Sequence, residues 1–382
     1  MNSYFKLSQK AVEKLAEQYD TPLLVLSLEQ VERNYAFLAE QLPGVKLYYA
    51  VKANPNEGII RKMAELGSYF DVASDGEMRF LTELGITPER MVYANPVKTP
   101  SGLKVAKETG VYKFTFDSES EIGKMAKAIP GGSVLLRVRV ENPKALVDLN
   151  KKFGAHPDDV LHLLDLARQQ GLDVAGLCFH VGSQSSSSDA YLEAIKICRG
   201  FFDEAQDAGF TMRILDIGGG FPVPSIMETI NITSMLHDIR ESLANNFPDT
   251  EIWAEPGRFM CGTVANLITS VIGTQQRNGN QWYFLDDGLY GTFSAVIFDH
   301  WDFELETFKK GEEIPATFAG PSCDSLDIMF TDKLVTPLKI GDLILVPNCG
   351  AYTSASATVF NGFAKTPIVI WEDVRDALDV KE

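Results

Sequence analysis

The chain has 382 residues, 45% hydrophobic and 23% charged, which allows two domains with packed interiors. Its net charge of −17 excludes nucleic acid and anionic membranes as expected partners, because both select basic surface, and favours encounter with cationic small molecules. No apolar stretch approaches the roughly 18 residues that span a bilayer, and the start Met1-Asn2-Ser3-Tyr4-Phe5-Lys6 lacks the basic-then-hydrophobic order of a signal peptide.

In chain order, the run Pro22–Leu28 comes first as a β-like segment. From about residue 29 to residue 262, β-rich runs then alternate with amphipathic helical stretches. The expected strands are Leu47–Lys52, Tyr69–Ser74, Met91–Asn95, Lys113–Asp117, Val134–Val140, Gly176–Ser183, Ile214–Gly218 and Ile252–Glu255. Helical patterns such as Glu57–Leu66, Glu77–Leu84, Glu119–Ile129, Asp158–Gln170 and Ala190–Ala208 separate them. Gly67, Gly85, Gly110, Gly171 and Gly209 stand where left-handed C-terminal caps belong. Eight such repeats predict an α/β fold, a (β/α)8 barrel in preference to an open doubly wound sheet. From about residue 263 the pattern turns to successive β runs, Val264–Ile272, Trp282–Leu285, Ala295–Phe298, Ala316–Ala319, Asp342–Val346 and Ile368–Trp371. The expected organisation is a barrel over residues 29–262 and an all-β domain from 263–382, joined by the N-terminal strand of residues 1–28. Five cysteines at scattered spacings (Cys178, Cys198, Cys261, Cys323, Cys349) argue for a reducing cytoplasm rather than a disulfide framework, and no CxxC pair or His/Cys cluster predicts a metal.

Functional residues of such barrels sit at the C-terminal ends of the strands, and unusual polar residues recur there. Lys52 closes an apolar run. A buried lysine is costly because desolvation disfavours its charge, so it is either neutralised by a partner or used as an amine nucleophile. Asp71 lies in the second strand, His180 and Ser183 end the sixth, Gly218-Gly219-Gly220 follow the seventh, and Glu255 and Arg258 follow the eighth. Consecutive glycines let backbone N–H groups approach a phosphate; a flexible turn is the alternative. The run is not a dinucleotide fingerprint, since the third position after Gly220 is Val223. A lysine nucleophile, a phosphate cradle, a carboxylate and a flat ring together describe a pyridoxal 5'-phosphate (PLP) site.

Four barrel segments, Ala50-Val51-Lys52-Ala53-Asn54, His180-Val181-Gly182-Ser183, Asp216-Ile217-Gly218-Gly219-Gly220-Phe221-Pro222 and Glu255-Pro256-Gly257-Arg258, resemble the motifs of fold-type III PLP decarboxylases. So do Asp286-Asp287-Gly288-Leu289-Tyr290-Gly291, Gly320-Pro321-Ser322-Cys323-Asp324, Gly350-Ala351-Tyr352-Thr353 and Phe360-Asn361-Gly362-Phe363. The likeness covers nearly the whole chain in order. It is strongest to the ornithine decarboxylase family, especially its bacterial lysine/ornithine type.

The resemblance implies an alanine racemase-like barrel with a β-domain, and a role for each matching residue. Lys52 would bind PLP covalently, Glu255 would pair with the pyridine nitrogen, His180 would stack on the ring and Asp71 would lie beside it. Ser183, Gly219, Gly220, Arg258 and Tyr352 would hold the phosphate, with Arg137 lining the same pocket. Cys323 would donate a proton after CO2 leaves, Asp299 and Asp324 would bind the distal ammonium, and Phe360 would border the reacting carbon. It further implies a homodimer with shared active sites, with Lys152 and Asp327 as an intersubunit salt bridge. Diaminopimelate and arginine decarboxylases of the same fold are alternative readings, as is a catalytically dead regulatory homologue. The Asp299 and Asp324 pair suits an amine better than a distal carboxylate, and retention of Lys52, Glu255, Arg258 and Cys323 argues for catalysis.

Overall fold

The computed structural model describes residues 4–140, 142, 151–223 and 230–378. After β1 (Leu23–Leu26), eight short strands follow: β2 (Lys46–Ala50), β3 (Tyr69–Val72), β4 (Met91–Tyr93), β5 (Lys113–Phe116), β6 (Ser133–Arg137), β7 (Asp173–Cys178), β8 (Ile214–Asp216) and β9 (Glu251–Ala254). Strands β2 to β9 are parallel neighbours, and β9 returns to β2 through Lys46↔Trp253 and Leu47↔Ala254, closing the expected eight-stranded barrel. Nearly every strand residue is buried, as a sheet covered on both faces requires.

Local chemistry explains the helices between them. Asn56, Ser74 and Thr99 each accept a backbone N–H in the first turn of the helices Glu57–Glu65, Asp75–Glu83 and Pro100–Thr109. Gly67, Gly85, Gly110, Gly171 and Gly209 all take positive φ, between 79° and 87°, just beyond helix ends. Inside the barrel, Tyr48, Val92, Leu135, Ala175, Cys178, Ile214 and Trp253 form one packed cluster. Tyr48 stacks on Tyr69 at 4.9 Å and packs against Trp253 at 4.5 Å, and the Lys113 ammonium lies within 6 Å of all three rings.

The strands end earlier than the sequence suggests. The second stops at Val72 rather than Ser74, and the sixth at Cys178 rather than Ser183. Polar residues needed at the rim leave the ladder there to turn into loops.

The described residues divide into two compact units, one holding those from Tyr35 to Phe259, the other those up to Asn34 and from Met260 onward. In the second unit, β1 pairs antiparallel with β10 (Ala265–Arg277), Leu23↔Ile268, and parallel with β16 (Ile368–Ile370), Leu24↔Ile368. The remaining strands are β11 (Asn280–Leu285), β12 (Glu306–Thr307), β13 (Ile314–Ala319), β14 (Ile328–Val335) and β15 (Leu343–Val346), in the order β12-β15-β10-β11-β13-β14. This unit is mostly sheet but not all β. The helix Gln9–Tyr19 buries Ala11, Val12 and Leu15 against Leu23, Val25, Ile268, Leu345 and Trp371.

Ala295–Phe298, expected as a strand, is a single helical turn. Asp287 fixes the entry, its Oδ1 accepting the N–H groups of Gly288 and Thr292, and four apolar residues are too few for periodicity to separate strand from helix. Strand β14 went unread because its apolar alternation breaks at Asp332, which takes a φ of 54°. No helix among the described residues is long and apolar enough to cross a membrane.

Candidate active site

Lys52 lies just past the end of β2, in the short 3-10 turn Val51–Ala53. It is not a buried strand lysine. Its side chain is 44% accessible, and its ammonium pairs with the carboxylate of Asp71, which is 1% accessible and set at the third residue of β3. The pairing follows from register, since Ala50 of β2 aligns with Asp71 of β3. Glu77 stands in the same corner. It sits in the first turn of the helix Asp75–Glu83, where its Oε2 accepts the Ala73 N–H at 2.6 Å. Burial pushes its carboxyl up to about 7, with Asp71 adding to the rise and Lys52 opposing it. Sequence reasoning missed Glu77. Its only signal was Ser74-Asp75-Gly76-Glu77, which has the form of a helix-capping box.

The loops after β7 and β8 interlock. Phe179 N donates to Asp216 O at 3.0 Å and Ser185 N to Gly220 O at 2.9 Å, while the Tyr191 hydroxyl donates to Gly219 O at 2.8 Å. Gly218 and Gly220 take φ of 68° and 105°. A Cβ at Gly218 would enter the Phe179 carbonyl, one at Gly220 the Gly182 carbonyl, and one at Gly219 would press on the Glu255 carbonyl and the His180 ring. The glycine run is a close-packed shelf rather than a flexible turn.

Around that shelf stand the other barrel residues. His180 accepts the Gly182 N–H at Nδ1 (2.9 Å), leaving Nε2 as the protonated position of a neutral ring. His180 retains some accessible surface, but the packing around it dominates. Desolvation, then Arg137 and Lys52, hold its imidazole well below the ordinary range. Arg137 ends β6, its guanidinium over the Phe153 ring at 5.2 Å. Glu255 directly follows β9, and burial pushes its carboxyl well above the usual range, helped by Asp216 and Asp71. Ser183 lies in the loop after β7, and Arg258, buried, opens the short helix Arg258–Cys261.

Glu255 Oε1 and both Nε and Nη2 of Arg137 are buried with no hydrogen-bond partner among the described residues. Such atoms are expensive unless a ligand satisfies them. A carboxyl awaiting a ring nitrogen, a guanidinium awaiting an anion, and a glycine shelf beside a lysine fit PLP.

The other unit gathers a second group. Of five free cysteines, Cys323 alone is exposed. Its N–H donates to Asn361 Oδ1 at 3.1 Å. Asp324 accepts the Tyr290 hydroxyl at 2.5 Å and the Leu326 N–H at 3.0 Å, bonds that hold its carboxyl below the ordinary range. Phe360 stacks on Tyr290 at 4.2 Å. A cavity of about 210 Å³ beside them is bordered by Tyr290, Ser322, Asp327 and Phe360. Asp299 closes the helical turn Ala295–Phe298, and Tyr352 takes a φ of 56°. Asp327, buried, accepts the N–H groups of Leu289 and Ser322, so its carboxylate anchors turns of its own chain. Tyr290 and Asn361 join this group through hydrogen bonds that single residues of the sequence could not announce.

Residues 28–262 match the family described as "Pyridoxal-dependent decarboxylase, pyridoxal binding domain". The chain is 52% identical over 370 residues to a lysine/ornithine decarboxylase of Selenomonas ruminantium, covering 97% of this chain and 94% of that one. It is 34% identical to antizyme inhibitor 2 of Xenopus laevis, covering 95% and 84%. The crystal structure of SrLDC in complex with PLP and cadaverine superposes with a TM-score of 0.93 at 49% identity, covering 100% of both chains. This chain belongs to the pyridoxal-dependent decarboxylases.

Proposed function

We propose that the protein decarboxylates L-lysine and L-ornithine to cadaverine and putrescine, as a homodimer with shared active sites in the cytoplasm. The observation that carries this reading is the rim of the barrel, where the Lys52–Asp71 pair, neutral His180 and the buried carboxyl of Glu255 surround the glycine shelf. Likeness to the Selenomonas ruminantium lysine/ornithine decarboxylase supports it. Because the family also includes resemblance to an antizyme inhibitor, the catalytic reading leans on this chain's own Lys52, Glu255, Arg258 and Cys323.

Bound PLP supplies an electron sink for the electron pair left when CO2 departs. Lys52 holds the cofactor covalently, and Asp71 neutralises and orients the amine. Glu255 keeps a proton at the pyridine nitrogen, and neutral His180 offers its ring face. Ser183, Gly219, Gly220 and Arg258 take the phosphate, with Arg137 beside them and Tyr352 assigned by its motif. Cys323 Sγ delivers the proton that replaces CO2. Asp299 and Asp324 bind the distal ammonium, whose charge relieves the repulsion between two carboxylates, and Phe360 limits the space near the reacting carbon. Of these, Cys323 and Asp324 come from the second subunit. Lysine and ornithine differ by one methylene, worth only about 1–3 kcal/mol in a pocket, so one site serves both.

Amine release from lysine, ornithine, arginine and diaminopimelate in competition, with PLP added, tests the substrate. Product from arginine or diaminopimelate alone would refute it. Lys52→Ala should abolish the near-visible absorbance of lysine-bound cofactor; persistence of that band would remove Lys52 from its role.

A further inference from the structure

We propose that Asp216 is a positioning residue that keeps one proton on Glu255, ready for the pyridine nitrogen of the cofactor. The inference rests on Glu255 being the partner of that nitrogen.

The backbone ties the two acids together. Asp216 ends β8 at 0% accessibility, and its Oδ1 accepts the Gly218 N–H at 2.8 Å. The carbonyl of the same Gly218 accepts the Glu255 N–H at 2.8 Å. The two buried carboxyls thus hang on one glycine, and each shifts the titration of the other. No donor among the described residues reaches Asp216 Oδ2 or Glu255 Oε1. Two interacting buried acids resist ionising together, so the pair holds one proton and titrates as a unit.

The surroundings decide which acid carries it. Burial raises both, and Asp71 on β3 raises both further, while Arg137 on β6 opposes the rise at Asp216 and Lys52, past β2, at Glu255. Cys178 on β7 and Tyr48 on β2 are themselves pushed up beside Asp216, so both stay neutral. The Gly218 N–H favours the ionised form of Asp216, whose carboxyl rises to about 6, while Glu255 moves well above its usual range. On this proposal Asp216, which already accepts the Gly218 N–H, is the anion and Glu255 the acid. When a pyridine nitrogen meets Glu255, the Glu255 O–H bond breaks and its electron pair stays on the carboxylate. A new N–H bond forms on the nitrogen lone pair, so no proton need come from solvent.

Asp216→Asn keeps an oxygen for the Gly218 N–H but turns an acceptor toward Glu255 into a donor, which favours ionised Glu255. Calorimetric titration of cofactor-free protein with PLP, in buffers of different ionisation enthalpy near neutral pH, counts the protons exchanged. Phosphate and lysine contributions are common to both proteins. The variant should take up about one more proton per site than the unsubstituted protein; equal proton counts would overturn the proposal. A second measurement needs no change at Asp216. The infrared difference between the cofactor-free protein and Glu255→Gln should contain a protonated-carboxyl band, and a difference holding carboxylate bands alone would overturn the proposal. If Glu255→Gln leaves PLP affinity and absorbance unchanged, the Glu255 assignment itself falls, and the inference with it.

Discussion

Glu77→Gln should make the protein more stable at neutral and alkaline pH, although it deletes a charge beside the Lys52 ammonium. Burial raises the Glu77 carboxyl from 4.5 to about 7. At 1.36 kcal/mol per pH unit, that rise corresponds to about 3 kcal/mol, and partial solvent access brings it to about 2 kcal/mol. The folded chain binds this proton more tightly than the unfolded chain. The stabilisation is therefore fully present below the ordinary carboxyl range and is lost as pH rises through 4.5 to about 7. Glutamine cannot ionise, yet its carbonyl can still accept the Ala73 N–H. Urea unfolding of cofactor-free protein and variant from pH 5 to pH 8 should show a widening gap, reaching about 2 kcal/mol in favour of the variant. Titrating groups that do not interact with Glu77 cancel in the difference. A gap that stays flat across that range, or closes, would refute the burial argument.

Gly220→Ala places a Cβ into the Gly182 carbonyl at a φ of 105°, and should weaken PLP retention at least about tenfold in equilibrium dialysis; unchanged retention would disprove the shelf. Lys98 is buried, donates to the carbonyls of Asn95, Pro96 and Thr115, and lies 3.7 Å from Glu121. Lys98→Met strands those acceptors and should cost about 3 kcal/mol in urea unfolding, a loss that an unaltered midpoint would deny. Cys323→Ala should retain PLP absorbance but lose most amine production, and mixing it with inactive Lys52→Ala should restore part of the activity through hybrid dimers. No recovery despite proven subunit exchange would argue against shared sites.

The barrel was legible because its signal is local. Alternating β runs and capped helices write themselves into short windows, and cap residues such as Ser74 and Gly110 do their work within a few positions of their own place. The motif residues Lys52, Glu255 and Cys323 were legible as types in order along the chain. Where local signal thinned, the reading failed. Ala295–Phe298 is helical because Asp287 captures the preceding turn, and β14 is a strand because β13 pairs with it across bulges.

By itself, then, the sequence determined the barrel class, the β-rich character of the second unit and the candidate residues, since all of these rest on periodicity, capping and motif order. Only the tertiary structure decided how those residues behave. Strand register set Lys52 on Asp71, and burial raised the carboxyl of Glu77. Gly218, bonded to both, tied buried Asp216 on β8 to Glu255 just past β9. Protonation depends on desolvation and on neighbours from distant strands, and neither exists until the barrel closes.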